Sequence, residues 1–189
     1  MRVIAGRLRG RALSAPPGDA TRPTGARVKE ALFSILGDVA DLKVLDLYAG
    51  SGALGIEAVS RGASSVVFVE SARPALLCLR ENLAKLQLES AASVLPVRVE
   101  SGLAQLRKYG PFGLVLCDPP WRDVKSALSG LIALANAGLL AAGARIALEH
   151  AAKDPLQVPE SGSGVRMYDE RRWGDTAVAF FEPADVPVP

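Results

Sequence analysis

The chain has 189 residues, of which 49% are hydrophobic and 22% are charged, with a formal net charge of +2. This size and composition predict one globular domain with a small appendage, not two independent domains. No apolar run reaches the roughly 18 residues of a membrane span, and no apolar signal region follows Met1, so we expect a cytoplasmic protein without a membrane partner. Two cysteines and one histidine lack metal-ligand spacing, so no metal is expected.

Positive charge is concentrated at the start of the chain. Residues 1–30 carry seven basic and two acidic side chains, a net charge of +5, whereas the other residues carry a net charge of −3. A basic arm on a mildly acidic domain indicates contact with nucleic acid, although a solvated surface arm explains the charge equally well. Apolar and arginine residues alternate in the opening, which predicts a small β-ribbon with Arg7, Arg9 and Arg11 on one face.

A helix is predicted after the ribbon, with Thr24 as its N-cap. Its apolar face is formed by Val28, Leu32 and Ile35. Because the pattern changes near residue 42, we expect an N-terminal extension over residues 1–41 and a second unit over residues 42–189.

From residue 42 onward, strand and helix patterns alternate. Parallel strands are predicted at residues 42–48, 65–70, 93–100, 112–118 and 144–150. Pro96 restricts the third of these strands to an edge of the sheet. Two final strands, at residues 165–173 and 176–183, form a hairpin. The pattern predicts an α/β, Rossmann-like fold with a mostly parallel seven-stranded sheet and an antiparallel C-terminal hairpin.

A glycine-rich loop follows the first strand of this sheet. Gly50, Gly52 and Gly55 form a G-x-G-x-x-G pattern, and Glu70 ends the next strand. The pattern by itself is typical of a dinucleotide site, in which the acid binds ribose hydroxyls. However, Asp46 would repel a pyrophosphate at the helix terminus, whereas it would attract the ammonium and sulfonium groups of S-adenosylmethionine. The loop therefore favours S-adenosylmethionine, with a nicotinamide cofactor or a ligand-free turn as alternatives.

The motif Asp118-Pro119-Pro120-Trp121 ends the fourth strand. Proline cannot donate to a sheet, so the strand stops at Asp118, whose side chain faces the cofactor across the crevice of a doubly wound sheet. The Asp118 carboxylate and the Pro119 carbonyl could hold both hydrogens of an exocyclic amine on a nucleobase and direct its lone pair at a methyl donor. Trp121 would stack on the base. A plain proline turn and a tryptophan that covers the core are the alternatives.

Together these motifs resemble the bacterial 16S ribosomal RNA guanine-N(2) methyltransferases over nearly the whole chain. The resemblance lies in the arginine-rich opening, the Arg-Pro-Thr start of the first helix, the glycine loop, the Asp-Pro-Pro-Trp motif and the Trp-Gly-Asp-Thr turn of the hairpin. It implies a class I S-adenosylmethionine-dependent methyltransferase fold and transfer of one methyl group to a guanine 2-amino group. We also expect a monomer that acts on 16S ribosomal RNA in a partly or fully assembled small subunit, with naked RNA as the alternative substrate.

The resemblance assigns roles to three groups of residues. The catalytic group is Asp118, Pro119, Pro120 and Trp121. The cofactor-binding group is Asp46, Tyr48, Ala49, Gly50, Ser51, Gly52, Glu70 and Ser101. The RNA-binding group is Arg7, Arg9, Arg11, Arg22, Thr24 and Arg27. The chain departs from the family at Gly25 and Ala26, where Thr and Asp are usual, and at Ser101, which leaves the adenine contact open.

Other functions stay open at this point. An Asp-Pro-Pro-aromatic motif is shared with DNA adenine amino-methyltransferases, although 41 residues before the first strand are few for a target-recognition region. The glycine pattern also fits an NAD-dependent oxidoreductase. The basic arm fits an RNA-binding factor without catalysis.

Overall fold

The computed structural model of the protein describes residues 1–16, 25–158 and 163–184. The strands are β1 Lys43–Leu47, β2 Ser65–Val69, β3 Ala92–Leu95, β4 Phe112–Cys117, β5 Leu140–Ala151, β6 Val165–Trp173 and β7 Thr176–Pro183. The helices are α1 Ala26–Leu36, α2 Ala53–Ser60, α3 Arg73–Leu86, α4 Val99–Leu106 and α5 Val124–Asn136, with a 3₁₀ turn at Trp121–Asp123 before α5. Within these residues, no helix combines the length and apolar character needed to cross a bilayer.

The strands form one sheet in the order β3-β2-β1-β4-β5-β7-β6. β1 pairs in parallel with both β2 and β4, whereas β7 runs antiparallel between β5 and β6. The chain therefore changes direction across the sheet between β1 and β4, which is where open α/β sheets form a ligand crevice at the carboxyl ends of their strands. The predicted seven-stranded sheet with its antiparallel hairpin is confirmed.

Two apolar layers enclose the sheet. Helices α1, α2 and α3 pack on one face, and α4 and α5 pack on the other. The central strands β1 and β4 are buried on both faces, which explains why β4 is continuously apolar and why β1 is apolar except at Lys43 and Asp46. Leu114 and Leu116 of β4 point to the first layer, whereas Val115 and Cys117 point to the second. This alternation holds the end of β4 rigidly at the crevice.

Three sequence predictions differ from the structure in detail. β3 ends at Leu95, before Pro96, because proline has no amide to continue the ladder, and α4 already begins at Val99. β5 begins at Leu140, four residues earlier than predicted. Helix α1 has Gly25 at its N-cap, and Thr24 lies outside the described residues.

The buried face of α1 is also rotated from the predicted one. Ile35 is 38% exposed, whereas Leu32, Phe33 and Leu36 are almost completely buried. Both sets of residues have helical spacing, so the packing against the sheet decides which set becomes the buried face.

The N-terminal arm, residues 1–16, forms a turn where a β-ribbon was predicted. One bridge joins Arg2 to Ala12, and residues 7–10 adopt a turn. Gly6 and Gly10 have φ values of +78° and +82°, a conformation that glycine adopts readily and that reverses the chain. The expectation that alternate arginines share the face of a strand is therefore wrong.

Candidate active site

The glycine loop, residues 48–52, lies at the carboxyl end of β1. The three glycines of its motif are needed for different reasons. A Cβ at Gly52 would lie 2.4 Å from Leu79 Cδ1, and one at Gly55 would lie 2.4 Å from the Phe68 ring. These two glycines therefore allow α2 to pack closely on α3 and the sheet. At Gly50, with φ of +56°, the nearest atom to a Cβ would be 3.9 Å away, so this glycine leaves open space beside the loop.

Asp46 lies beneath the loop and holds it in place. Its Oδ2 accepts a hydrogen bond from the Gly55 amide at 2.8 Å, and its side chain is buried. Burial, together with the negative charges of Asp118 and Glu70, raises the pKa of Asp46 well above its usual range, although the Gly55 hydrogen bond acts in the opposite direction. Asp46 therefore stabilises the loop by a direct hydrogen bond, whereas it can affect a bound ligand only by long-range electrostatic interaction.

Glu70 follows β2 and connects the loop to α3. Its Oε2 accepts from the Gly50 amide at 2.8 Å, and its Oε1 accepts from the amides of Ser71 and Ala72 at 2.7 Å each. A carboxylate can accept about four hydrogen bonds, so these three leave capacity for one more. Glu70 is partly exposed at the crevice, where a hydroxyl of a ligand can take that position.

Three acidic residues thus end neighbouring strands: Asp46 on β1, Glu70 after β2 and Asp118 after β4. Their charges are close enough for two of them to raise the pKa of the third. The charges of Glu70 and Asp118, which raise the pKa of the buried Asp46, create a negative potential that attracts a cation and repels a phosphate. Among the described residues, no group of three His, Cys, Asp or Glu side chains has the arrangement of a metal site.

Asp118 directly adjoins the glycine loop. Its amide donates to the Leu47 carbonyl at 3.4 Å, which extends the β4–β1 pairing one residue past the strand. Pro119 is buried, and the Pro120 carbonyl accepts from the Asp123 amide at 2.7 Å. No backbone amide in the described ranges donates to the Pro119 carbonyl. The structure therefore brings together the predicted catalytic and cofactor-binding segments, with two acceptors at the tip of β4.

Trp121 begins the 3₁₀ turn beyond these prolines. Its side chain is 41% exposed, and it belongs to neither apolar core. This exposure argues against a role in covering the core. An exposed indole next to the crevice offers a flat surface for a nucleobase.

On the other side of the crevice, α4 and α5 approach each other at their first turns. Ser126 Oγ donates to Glu100 Oε1 at 2.7 Å, and this hydrogen bond lowers the pKa of Glu100. Ser101 is exposed, and its hydroxyl donates to the Arg98 carbonyl. Tyr48, with an unusual φ of +58°, places its phenol near this pair, and burial raises its pKa. Ser126 was not predicted as a site residue, because no local pattern in the sequence distinguishes it.

A cavity of about 210 Å³ lies below this pair, between α4 and α5. Apolar side chains of both helices line it, and Leu47 of β1 forms its floor. Glu100 and Ser126 are its polar lining residues nearest to Tyr48. The cavity therefore extends from the crevice into the second apolar layer.

The structure separates the arm arginines from this site. The Arg7 amide donates to the Ser60 carbonyl at the C-terminal end of α2, whereas the glycine loop lies at the N-terminal end. The eight residues of α2 span about 12 Å at 1.5 Å per residue. Arg7, Arg9, Arg11 and Arg27 are all exposed. Two other predicted RNA-binding residues, Arg22 and Thr24, lie outside the described residues.

Polar side chains that were not predicted from the sequence hold the arm on the domain. Among them are Glu57, Ser60 and Asn82. All three are buried. Each is a polar residue on the buried face of an apolar helix. This sequence feature could have identified them, because a buried polar side chain needs a hydrogen-bond partner. Their partners lie more than 50 residues away in the chain, so the sequence could not name them.

The fold and the acid-lined glycine loop define a methyltransferase of Rossmann-like architecture. The chain belongs to the family whose model is described as Conserved hypothetical protein 95, which matches residues 1–182, and which includes ribosomal RNA small subunit methyltransferase D. The similarity to YlbH of Bacillus subtilis is 37% identity over 96% of this chain and 98% of that protein. Ribosomal RNA small subunit methyltransferase D of Haemophilus influenzae is 36% identical over 85% of this chain and 84% of its own.

A solved structure shows the same relationship. The structure of yhhF from Escherichia coli, a methyltransferase by name, is 33% identical and covers 97% of both chains, with a TM-score of 0.80. The expected class I methyltransferase fold and the resemblance of the sequence motifs are therefore confirmed.

Proposed function

We propose that the protein transfers a methyl group from S-adenosylmethionine to the exocyclic 2-amino group of a guanine in 16S ribosomal RNA. The observation that carries this proposal is the position of Asp118 beside Leu47, the residue that precedes the glycine loop. The relatives named as ribosomal RNA small subunit methyltransferases support the choice of RNA. We extend the proposal to a monomeric protein that acts on a partly or fully assembled small subunit.

The residues at the crevice fit S-adenosylmethionine. Gly50 leaves open space where a ligand can approach the backbone, and the Glu70 carboxylate can accept one further hydrogen bond, as a ribose hydroxyl requires. The acidic cluster suits a cofactor with two cationic centres and opposes the pyrophosphate of a nicotinamide cofactor. When bound, S-adenosylmethionine supplies an electrophilic methyl group on its sulfonium. We assign the adenine contact to the side of the crevice that carries Glu100 and Ser101.

The role of the Asp-Pro-Pro-Trp segment is to make the guanine 2-amino group a better nucleophile. A guanine 2-amino group is a poor nucleophile because its lone pair is delocalised into the ring. The Asp118 carboxylate accepts one of its hydrogens and the Pro119 carbonyl accepts the other, which favours a pyramidal nitrogen with a localised lone pair. Pro120 restricts the backbone that holds these acceptors, and Trp121 stacks on the base. Asp118 can also take the proton that the methylated nitrogen must release.

The N-terminal extension, residues 1–41, is proposed to bind RNA away from the target base. Its turn presents Arg7, Arg9 and Arg11 at the end of α2 that is remote from the crevice. Arg27 extends the basic surface along α1. RNA that reaches both the arm and the crevice must therefore span at least the length of α2.

Binding and transfer assays test the proposal together. Calorimetry should detect S-adenosylhomocysteine and no binding of NAD or NADP. Labelled methyl groups should then pass to 16S ribosomal RNA and not to duplex DNA. Binding of NAD would instead favour an oxidoreductase, labelled DNA would favour an adenine methyltransferase, and RNA binding without transfer would favour a non-catalytic factor.

Replacement of Glu70 should weaken the cofactor site. We expect Glu70→Ala to cost about 1.5–3 kcal/mol of S-adenosylhomocysteine binding, the range for hydrogen bonds to a charged group. Glu70→Gln should lose less, because its one amide oxygen still accepts from one of the two sets of backbone donors, either Gly50 or the pair Ser71 and Ala72. Isothermal titration measures both variants, with Glu89→Ala, an exposed acid after α3, as the control. Unchanged affinity in Glu70→Ala would place the ribose elsewhere.

Trp121 is expected to act through its aromatic face. Trp121→Ala should weaken RNA binding by about 1–3 kcal/mol, the value of one stacked base, and Trp121→Phe should be nearly silent. Fluorescence anisotropy with a fragment of 16S ribosomal RNA measures both. If phenylalanine is as damaging as alanine, stacking is not the role of this side chain.

The arm arginines should contribute to RNA affinity through phosphate contacts. Alanine at Arg7, Arg9 and Arg11 together should reduce the slope of log affinity against log salt concentration by about 2. Each lost phosphate contact contributes roughly 0.7–0.9 to that slope. Cofactor binding should be preserved, because these side chains lie at the far end of α2. RNA titrations at several salt concentrations measure the slope. Equal slopes in the wild type and the triple variant would show that the arm is only a solvated surface.

A further inference from the structure

The side chain of Asn82 joins the N-terminal arm to the glycine loop. Asn82 is completely buried in α3. Its Oδ1 accepts from the Ser14 amide at 2.8 Å, and its Nδ2 donates to the Ser14 carbonyl at 3.1 Å and to the Ser51 carbonyl at 3.0 Å. These bonds use both amide hydrogens and the amide oxygen. One side chain therefore holds a residue of the arm and the central residue of the Gly50-Ser51-Gly52 turn.

The hydrogen bond to Ser51 orients the part of the loop that a ligand meets. Gly50 is held from the opposite side by Glu70, and Gly52 closes the turn by donating to the Ala49 carbonyl at 2.7 Å. Ser51 is buried between them, so its carbonyl needs a partner inside the protein. Without Asn82, the turn loses the restraint that fixes the peptide between Ser51 and Gly52.

The same hydrogen bonds make the loop sensitive to the arm. Ser14 follows Leu13, which is buried in the first apolar layer, so the arm is fixed in the core next to the residue that Asn82 binds. The side chains of Glu57 and Ser60 also anchor the arm, at Ile4, Ala5 and Leu8, and the buried Lys29 donates to the Arg2 carbonyl. None of these hydrogen bonds includes the glycine loop. The arm therefore has one anchor that reaches the cofactor site and others that do not.

We propose that Asn82 is a positioning residue that couples occupancy of the RNA-binding arm to affinity for the cofactor. This inference rests on the proposed function for the identity of both ligands. RNA bound to the arm restrains the hydrogen bonds between Ser14 and Asn82, and Asn82 transmits this restraint to the Ser51 carbonyl, so the glycine loop is held in one arrangement when the cofactor binds. Linkage requires the reverse effect as well: the cofactor must strengthen RNA binding by the same factor.

The first test measures S-adenosylhomocysteine affinity of the full-length protein by calorimetry, together with its melting temperature. Asn82→Ala should weaken binding about tenfold, the effect of one lost hydrogen bond of about 1.4 kcal/mol. Ser60→Ala is the matched control, because it also removes buried hydrogen bonds between the arm and a helix but does not touch the loop. Ser60→Ala should lower the melting temperature and leave the affinity within twofold. Equal affinities in the two variants would overturn the role of Asn82.

The second test repeats the titrations with saturating 16S ribosomal RNA. In the wild type and in Ser60→Ala, RNA should strengthen S-adenosylhomocysteine binding roughly fivefold. In Asn82→Ala, the affinity for S-adenosylhomocysteine should be about the same with and without RNA, so the ratio of these two affinities should fall to about one. A wild-type ratio of one, or an undiminished ratio in Asn82→Ala, would overturn the coupling. A wild-type protein that binds neither ligand would instead contradict the proposed function itself.

Discussion

Asp118→Ala is expected to lower turnover by about 10²–10³, the scale for loss of one preorganised polar contact in the transition state. The carboxylate lies at the tip of β4, next to the end of β1 and the glycine loop, where it can hold a hydrogen of the reacting amine. Affinity for S-adenosylhomocysteine should stay within a few-fold of wild type, because the loop and Glu70 remain in place. Single-turnover methyl transfer at saturating cofactor and RNA measures the change.

Two further variants give this prediction its controls. Asp118→Asn keeps an acceptor oxygen and removes the charge, so we expect a loss of about tenfold, between wild type and alanine. Asp123→Ala removes a partly exposed acid from the same segment, and its turnover should remain close to wild type. Near-normal turnover in Asp118→Ala would contradict the proposed hold on the amine.

Replacement of Glu57 should produce the largest loss of stability. Glu57 is completely buried, accepts from the amides of Ile4 and Ala5, and pairs with Lys29 at 3.0 Å and Arg61 at 2.9 Å. Glu57→Ala leaves the buried Lys29 ammonium and two amides without this acceptor, which should cost about 3–5 kcal/mol. For a protein of this size, the melting temperature should fall by roughly 6–20 °C. Differential scanning calorimetry measures both quantities.

The same carboxylate should make stability depend on pH. Burial by itself would raise the pKa of Glu57, but the Ile4 amide, Lys29 and Arg61 outweigh it, so the pKa lies below its ordinary value. A carboxyl group with a lowered pKa in the folded state stabilises the fold above its unfolded pKa, and this contribution is lost as the pH falls through the folded pKa. Glu57→Gln should therefore show a smaller loss of stability on acidification than wild type.

The control for Glu57 is Glu30→Ala, which removes an exposed acid from α1 and should change stability by no more than about 0.5 kcal/mol. If Glu57→Ala were as stable as Glu30→Ala, the buried charge cluster would not be what fixes the arm to the domain.

Much of the fold could be predicted from local patterns. The hairpin strands β6 and β7 have the predicted bounds, because alternating patterns and the turn at Gly174 mark both ends. The parallel strands follow from short apolar runs between helices. The buried face of α1 could not be predicted, since Val28 and Ile35 have the same spacing as residues that the sheet covers. Packing decides between such sets, and packing is not a local property.

In the site too, features that depend on local sequence could be predicted, and features that depend on packing between distant segments could not. The glycine loop, Glu70 and the Asp118 segment could be identified because each stands at the end of a recognisable strand. The packing that restricts Gly52 and Gly55 could not be predicted, because it involves Leu79 and Phe68 of other elements. The anchors of the arm could not be found, since their hydrogen bonds join residues 52 to 68 positions apart. Contacts between distant segments require the fold to be known.

Nucleoside analysis of methylated RNA tests the central claim most directly. Small ribosomal subunits from cells that lack this protein are incubated with it and with S-adenosylmethionine that carries a labelled methyl group, and the 16S ribosomal RNA is digested to nucleosides for mass spectrometry. The proposed function predicts label in N2-methylguanosine alone, at about one methyl group per RNA, and labelling slowed by about 10²–10³ with Asp118→Ala. Label in a methylated adenosine, or RNA without label, would contradict it.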